Sequence, residues 1–305
     1  MSSSLENYLK ELHDPGKPLT VSKLVKLSDL SAEESKIFRR EWPGIDVARR
    51  RQITEMLAEL AEDNFDLGFD EVFRFCLADP DSEVKVKAIE RLEQSEERSL
   101  IDPLISLLLG DLDSSVRAAA AHALGTFALL TEFEELPVSD ADKIEKALLT
   151  VLNNENEQVV VRCKALESIS WLSRPQVKGL IRQAYQGDSL EFRASALCAM
   201  GRICSSDWLS ILLQELRSPS PRLRFEAARA CGELESEEAV PQLIELTRDN
   251  DIEVRLSAIS ALGQIGGSRA KEALCKLLDS SDESISQAAQ EALEVMKFWE
   301  DPFAL

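Results

Sequence analysis

From about residue 69 onward, apolar residues recur in alternating steps of three and four, the spacing of helices with one buried stripe. The stripe itself returns at a near-constant interval. Aligned on Lys85, Arg117, Arg162, Arg193, Arg224, Arg255 and Ser286, successive repeats are 32, 45, 31, 31, 31 and 31 residues apart. Three positions after each anchor stands an alanine: Ala88, Ala120, Ala165, Ala196, Ala227, Ala258 and Ala289. Alanine fills 31 of the 305 positions, so seven hits in seven would arise by chance on the order of once in 10⁷ trials, and the repeat is genuine. One position before the anchor come Val84, Val116, Val161, Phe192, Leu223, Val254 and Ile285. Seven after it come Leu92, Leu124, Ile169, Met200, Cys231, Leu262 and Leu293.

These positions share one face of a 3.6-residue helix, and the small side chain on it lets a neighbouring helix approach closely. Asp81, Asp113, Ser189, Ser220, Asp251 and Asp282, four residues before their anchors, occupy the place of an N-cap. A second amphipathic segment separates these helices, as at Ile101–Leu109, Lys143–Leu152, Val177–Tyr185, Leu209–Leu216, Val240–Leu246 and Ala270–Leu278. Each repeat is therefore a helical hairpin of about 31 residues, too small to bury its own apolar face. Stacking such hairpins gives an all-α, right-handed α-solenoid of about seven hairpins with one continuous core.

The sequences DLDSSVRAAAAHALG at Asp111–Gly125, EAVPQLIEL ending at Leu246 and DNDIEVRLSAISALGQIG at Asp249–Gly266 resemble the HEAT-repeat family, in its short bacterial subtype named after phycobilisome lyases. The resemblance runs from about Phe69 to Phe298. It implies a binding scaffold more than a chemistry, since HEAT arrays mostly hold other proteins on the concave face lined by their second helices. It also implies a ladder between neighbouring repeats, formed by an Asp before the second helix and the basic residue in its first turn. Asp79, Asp111 and Asp249 with Lys85, Arg117 and Arg255 fit that pattern, whereas Gly187, Ser218 and Ser280 depart from it, so the ladder should be patchy.

The regularity fails in three places. The 45-residue step holds a surplus around Phe127–Asp140, an insertion with Glu132, Glu134, Glu135 and Asp140 that reads as an acidic surface segment. Residues 1–64 do not keep the period. Helices are predicted there at Leu5–Glu11, Val21–Leu27, Ala32–Trp42 and Val47–Ala61. Ser31 and Glu34 make a capping box, and Asp46 caps the last helix. This region reads as an N-terminal helical cap, its last two helices resembling a degenerate repeat, ahead of a solenoid over 65–305. At the other end Phe298, Trp299 and Phe303 are placed to fold back over the last hairpin.

Charge narrows the partner. The formal net charge is −20; residues 1–60 hold ten basic and ten acidic side chains, so the remaining 245 carry all of it. Such a field repels nucleic acid and favours a protein partner with a basic patch. The cluster Arg39, Arg40, Arg49, Arg50 and Arg51 is interleaved with Glu41, Asp46 and Glu55 and reads as an ion-paired helix face. No apolar run approaches the ~20 residues of a membrane span, and MSSSLENYLKEL lacks the form of an export signal, so a cytoplasmic location is expected.

Motifs for chemistry are sparse, and no catalytic residue, cofactor or metal site is assigned. The six cysteines are scattered without metal-ligand spacing. The HEAT-fold deoxyhypusine hydroxylases hold two irons through His-Glu dipeptides; here His13 precedes Asp and His122 precedes Ala. The enzymatic alternative implied by the resemblance is a bilin lyase or isomerase-like subunit, or another accessory subunit of an enzyme. The preferred reading is a non-catalytic scaffold or adaptor. On the second helices, the positions opposite the core stripe place Trp171 beside Lys164, Glu167 and Arg202, with Arg229 and His122 in the same rows. A tryptophan among cations suits an interface anchor, and these six residues are the candidate partner-binding set.

Overall fold

The computed structural model describes residues 4–14, 16–64 and 66–300, and every regular element among them is helical. The chain divides into two compact units, Met1–Val161 and Arg162–Leu305.

The first unit opens with α1 (Ser4–Leu12), α2 (Val21–Leu24), α3 (Ala32–Glu41) and α4 (Val47–Asp63). Ser31 and Glu34 form the capping box that starts α3, and Asp46 accepts from the Ala48 N–H to start α4. Two hairpins follow, pairing α5 (Asp70–Cys76) with α6 (Ser82–Leu92) and α7 (Ile101–Gly110) with α8 (Ser114–Glu132). α9 (Val138–Leu152) then packs on α7 and α8, and α10 (Val159–Ile169) begins at the end of this unit and belongs mostly to the second. α4 lies on α6 as α6 lies on α8, and α3 lies on α5. The seam between α3 and α5 is aromatic: Phe38 sits 5.0 Å from Trp42 and edge-on to Phe75 at 5.7 Å. The surplus residues of the 45-residue step lengthen helices and leave little loop. α8 runs through Phe127, Ala128 and Leu130, all buried, and α9 starts at Val138. Within that stretch Phe133 is exposed, and buried Asp140 is held by the Arg98 guanidinium.

The second unit pairs α11 (Pro175–Gln186) with α12 (Leu190–Arg202), α13 (Leu209–Glu215) with α14 (Pro221–Glu233), α15 (Val240–Leu246) with α16 (Ile252–Ile265), and α17 (Gly267–Leu277) with α18 (Glu283–Glu300). The predicted helices at Leu209, Val240 and Ile101 begin at those residues, each after a single 3₁₀ turn. All seven alanines of the repeat are fully buried, so the stripe that defined the repeat is the core. Asp81, Asp113, Ser189, Asp251 and Asp282 each accept a backbone N–H of the following turn. Ser220 makes no such bond, and Pro221 starts the helix after it.

Second helices approach unusually closely in the second unit: α12 lies along α14, α14 along α16 and α16 along α18, whereas the first helices α15 and α17 meet sparsely. Glycine permits it. A Cβ added at Gly201 would stand 2.8 Å from Ala230 Cα, one at Gly232 2.9 Å from Ala261 Cα, and one at Gly263 2.9 Å from Ala292 Cα. Three equivalent residues after these helices, Cys204, Glu235 and Gly266, have φ of 50°, 50° and 71° and turn the chain into the next hairpin.

The inter-repeat ladder is more continuous than the aspartates alone predict. Each basic anchor reaches the next hairpin: Lys85 pairs with Asp111, Arg117 with Glu157 at 2.7 Å, Arg193 with Glu215 at 2.9 Å, and Arg224 with Asp249 at 2.7 Å. Arg255 lies 3.7 Å from Asp282. Where the aspartate is missing, a carboxylate arrives from the end of the preceding helix, from the loop or from the N-cap. The Arg162 guanidinium lies 5.0 Å over the Phe192 ring. The N-terminal region carries the same device: Arg50 donates to the Ile45 carbonyl and pairs with buried Asp79, as Arg224 donates to Ser218 O and pairs with Asp249. The rest of the arginine cluster is also paired internally, Arg51 with Asp81 and Glu83, Arg40 with Glu6 and Glu41, Arg39 with Glu71, and Arg49 with the Lys17 carbonyl. At the C-terminus Phe298 is half exposed; the Trp299 side chain and Phe303 lie outside the described residues.

Candidate functional site

In the second unit the residues two, five and nine positions after each anchor share the side of the second helices away from the alanine stripe, and Glu167, Ser195, Cys198, Glu226 and Ser257 among them are buried. Their small members stand on α12 (Ser195, Cys198) and α16 (Ser257, Ser260), and their large charged members on α10 and α14. Side chains from α10 and α14 therefore converge over α12. This alternation gathers five of the six candidate residues.

Glu167 is the pivot on the α10 side. Its Oε1 accepts the Ser195 hydroxyl at 2.6 Å, its Oε2 accepts Lys164 Nζ at 2.9 Å, and its backbone carbonyl accepts Arg202 Nη1 at 2.7 Å. Arg202 thus closes one of the free carbonyls of the last turn of α10. The same guanidinium stacks 5.0 Å over the Trp171 ring, a geometry worth about 1 kcal/mol when partly desolvated. Burial raises the Glu167 carboxyl, but Lys164, the Ser195 hydroxyl and Arg202 outweigh it and hold the group below its ordinary value.

Arg229 is the pivot on the α14 side. Its Nη2 stands 3.0 Å from Glu226 Oε2 and its Nε 3.6 Å from Glu233 Oε1, while Arg222 reaches Glu226 at 3.3 Å. Glu233 folds back over Gly201 of α12, occupying space that a Cβ there would take. Burial pushes the carboxyls of both Glu226 and Glu233 above the ordinary range, with the arginines only partly opposing it. Between the two pivots the buried Cys198 thiol is pushed up to about 11 by desolvation, so it is a neutral wall of the site and not a nucleophile.

His122 belongs to the first unit, where its Nε2 lies 3.3 Å from Glu93 Oε1 on the face of α8. The site thus consists of Lys164, Glu167, Trp171, Arg202 and Arg229 together with Ser195, Glu226 and Glu233. Ser195 is the residue that the repeat pattern did not single out. It occupies the same row as Lys164 and Glu226, so a small polar residue between large charged ones was the available signal. Among the described residues, no three His, Cys, Asp or Glu side chains are grouped to hold a metal ion, and no helix is long and apolar enough to cross a membrane.

A family model for HEAT repeats matches residues 71–138 and 209–294, together 154 of the 305 residues. The chain belongs to the HEAT-repeat family. Among solved structures it is similar to the complex of CpcE and CpcF of phycocyanin lyase from Nostoc sp. PCC7120, at 19% identity over 93% of this chain and 96% of that one, with a TM-score of 0.43. It is similar also to human deoxyhypusine hydroxylase, at 17% identity over 96% of both chains with a TM-score of 0.39, and to the Escherichia coli protein YibA, at 17% identity over 83% of this chain and 98% of that one with a TM-score of 0.46. No curated protein matches the sequence.

Proposed function

We propose that the protein is a non-catalytic scaffold that binds another protein through the face formed by the second helices of its second unit. HEAT repeats and the helical-repeat fold support protein binding as the general role. The observation that carries the location is the Trp171–Arg202 stack. A partly buried tryptophan is fixed against a guanidinium whose other contact is a helix-terminal carbonyl, so a rigid, amphipathic surface is presented with its rotamers already set. Preorganised Trp and Arg are the side chains that most often dominate binding energy. The excess of acid over base elsewhere in the chain favours a partner with a net basic surface and speeds its approach at low salt.

The test uses the full chain as bait, in parallel with Trp171→Ala. A partner that is retained by the wild type and weakened at least tenfold by the variant, with helicity unchanged by circular dichroism, is the expected outcome. Equal retention by both baits removes this face from the function. The alternative role, an accessory subunit for a bilin lyase or another enzyme, predicts a change in the absorption spectrum when a bilin is mixed with the protein. Under the scaffold reading the spectrum stays unchanged.

A further inference from the structure

The charges of the candidate face are layered by depth, and the layering points to the partner group that it holds. The carboxylates lie beneath: the side chains of Glu167, Glu226 and Glu233 are 10%, 7% and 27% exposed. The cations lie above them: Lys164, Arg229 and Arg222 are 37%, 35% and 63% exposed. Arg202, stacked on Trp171, completes the upper layer. Lys164, Arg202 and Arg229 stand over Glu167, Glu226 and Glu233, whose carboxylates are the more buried, so the outward charge between the two pivots is positive. Arg222, at the edge, shares its hollow with exposed Glu253.

The distribution along the chain permits this local inversion. Residues 162–305 hold 17 basic and 22 acidic side chains, a net of −5, whereas residues 1–161 hold 18 and 33, a net of −15. Three-quarters of the acidity is thus carried by the first unit. At physiological salt, charges beyond about 8 Å are largely screened, so contact chemistry on this face is set by the charges within that distance.

We propose that the Lys164–Arg202–Arg229 layer, with Trp171 at its side, seats an acidic segment of the protein partner, whose carboxylates pair with the outward cations. This rests on the scaffold reading and adds the chemistry of the anchor. Each cation is already oriented by a buried carboxylate or carbonyl, so little side-chain freedom remains to be lost on binding. A short acidic segment is favoured over a nucleic acid because the chain's net charge of −20 opposes a long polyanion more than an anchor of a few residues. A partner that is basic overall and presents one acidic segment satisfies both the long-range field and this seat.

Fluorescence anisotropy on the full chain tests it, with labelled hexaglutamate, hexalysine and a short oligothymidylate as probes at low salt. Hexaglutamate is expected to bind, with an affinity that falls on adding salt and drops roughly tenfold or more in Lys164→Ala/Arg229→Ala. Lys164→Glu, a single change at a side chain more than one-third exposed, should act in the same direction and guards against loss of fold in the double variant. Hexaglutamate binding that is absent, or indifferent to these substitutions, overturns the acidic-segment proposal. Hexalysine binding that depends on Trp171 overturns it too, yet leaves the scaffold face standing. If oligothymidylate alone binds with the Lys164 and Arg229 dependence, the occupant is a nucleic acid and the proposal fails. If no probe responds to any substitution on the face, the acidic seat is overturned, while the scaffold assignment is still decided by the Trp171→Ala bait comparison.

Discussion

A single arginine in this repeat does two jobs. Arg224 donates Nη1 to the carbonyls of Ser218 and Pro219 in its own loop, and it grips Asp249 of the next hairpin through Nε and Nη2 at 2.7 and 2.8 Å. Burial raises the Asp249 carboxyl, but Arg224 and the backbone N–H groups of Asn250 and Asp251 outweigh it, so it sits below its ordinary value. A carboxyl that is depressed in the folded state contributes stability above its unfolded pKa of about 3.9, and that contribution is lost as pH falls through the folded value. Arg224→Ala is therefore expected to cost about 2 kcal/mol at pH 7, a charge-assisted bidentate pair plus two loop hydrogen bonds. The cost should shrink in acid by the share that the Asp249 pair supplies, while the two loop hydrogen bonds, which do not titrate, keep the remainder. Urea titrations at pH 7 and pH 3 measure both; a deficit that is the same at the two pH values would mean that the Asp249 pair supplies none of it. Asp249 was visible as a ladder position, but the pattern set it beside Arg255 of its own hairpin, whereas it pairs with Arg224 of the hairpin before. The partners of Arg193 and Arg255 could not be read from the sequence, since Glu215 comes from the end of a first helix and Asp282 from an N-cap, and only folding brings them to the rung.

At the scale of the element, a hairpin's two helices and their caps were legible because hydrophobic period and N-cap chemistry are local. What escaped was how tightly neighbouring second helices close. Gly201, Gly232 and Gly263 recur at the repeat interval, yet a helical glycine costs about 1 kcal/mol against alanine and the sequence alone gives no reason to accept that cost. The reason is the backbone of the next helix, 2.8–2.9 Å from where each Cβ would be. Gly232→Ala should thus gain its helix propensity and lose more to overpacking, a net destabilisation of about 1–2 kcal/mol. Gly179→Ala is the matched control, since a Cβ on that glycine of α11 meets nothing within 4 Å; it should stabilise by up to about 1 kcal/mol. Thermal or urea unfolding of the pair decides the matter by opposite signs, and two stabilising substitutions would refute the close-approach role. The candidate site follows the same division. The rows that carry Trp171, Glu167 and Arg229 were visible as the polar face of a periodic helix. The convergence over α12 was not, because it depends on Ser195 and Cys198 being small enough for side chains of α10 and α14 to lean across.

At the scale of the whole molecule, the −20 charge is a property of one unit more than of the chain. Within residues 1–161 the first 60 are balanced, so residues 61–161, with 8 basic and 23 acidic side chains, carry the entire −15 of that unit. Glu55, Glu59 and Glu62 of α4 and Glu90 of α6 are exposed, and Lys87 is the cation between Glu55 and Glu90. Like charges held on one compact unit repel one another and oppose its folding, and the repulsion is relieved by salt. Raising NaCl from about 0.01 M to about 0.15 M shortens the screening length from about 30 Å to about 8 Å. The second unit, at −5 and with its cations interleaved with carboxylates, has little repulsion to screen and several ion pairs to weaken. In a solenoid, stability is a sum over neighbouring repeats, so each unit should report its own electrostatics. Amide hydrogen exchange at the two salt concentrations is therefore expected to show rising protection across the helices of residues 61–161 and smaller or no gain across 162–300. A uniform gain along the chain would mean that the charge acts on the whole array as one body, and a larger gain in the second unit would mean that its buried carboxylates, not the exposed glutamates of α4 and α6, are the main source of strain.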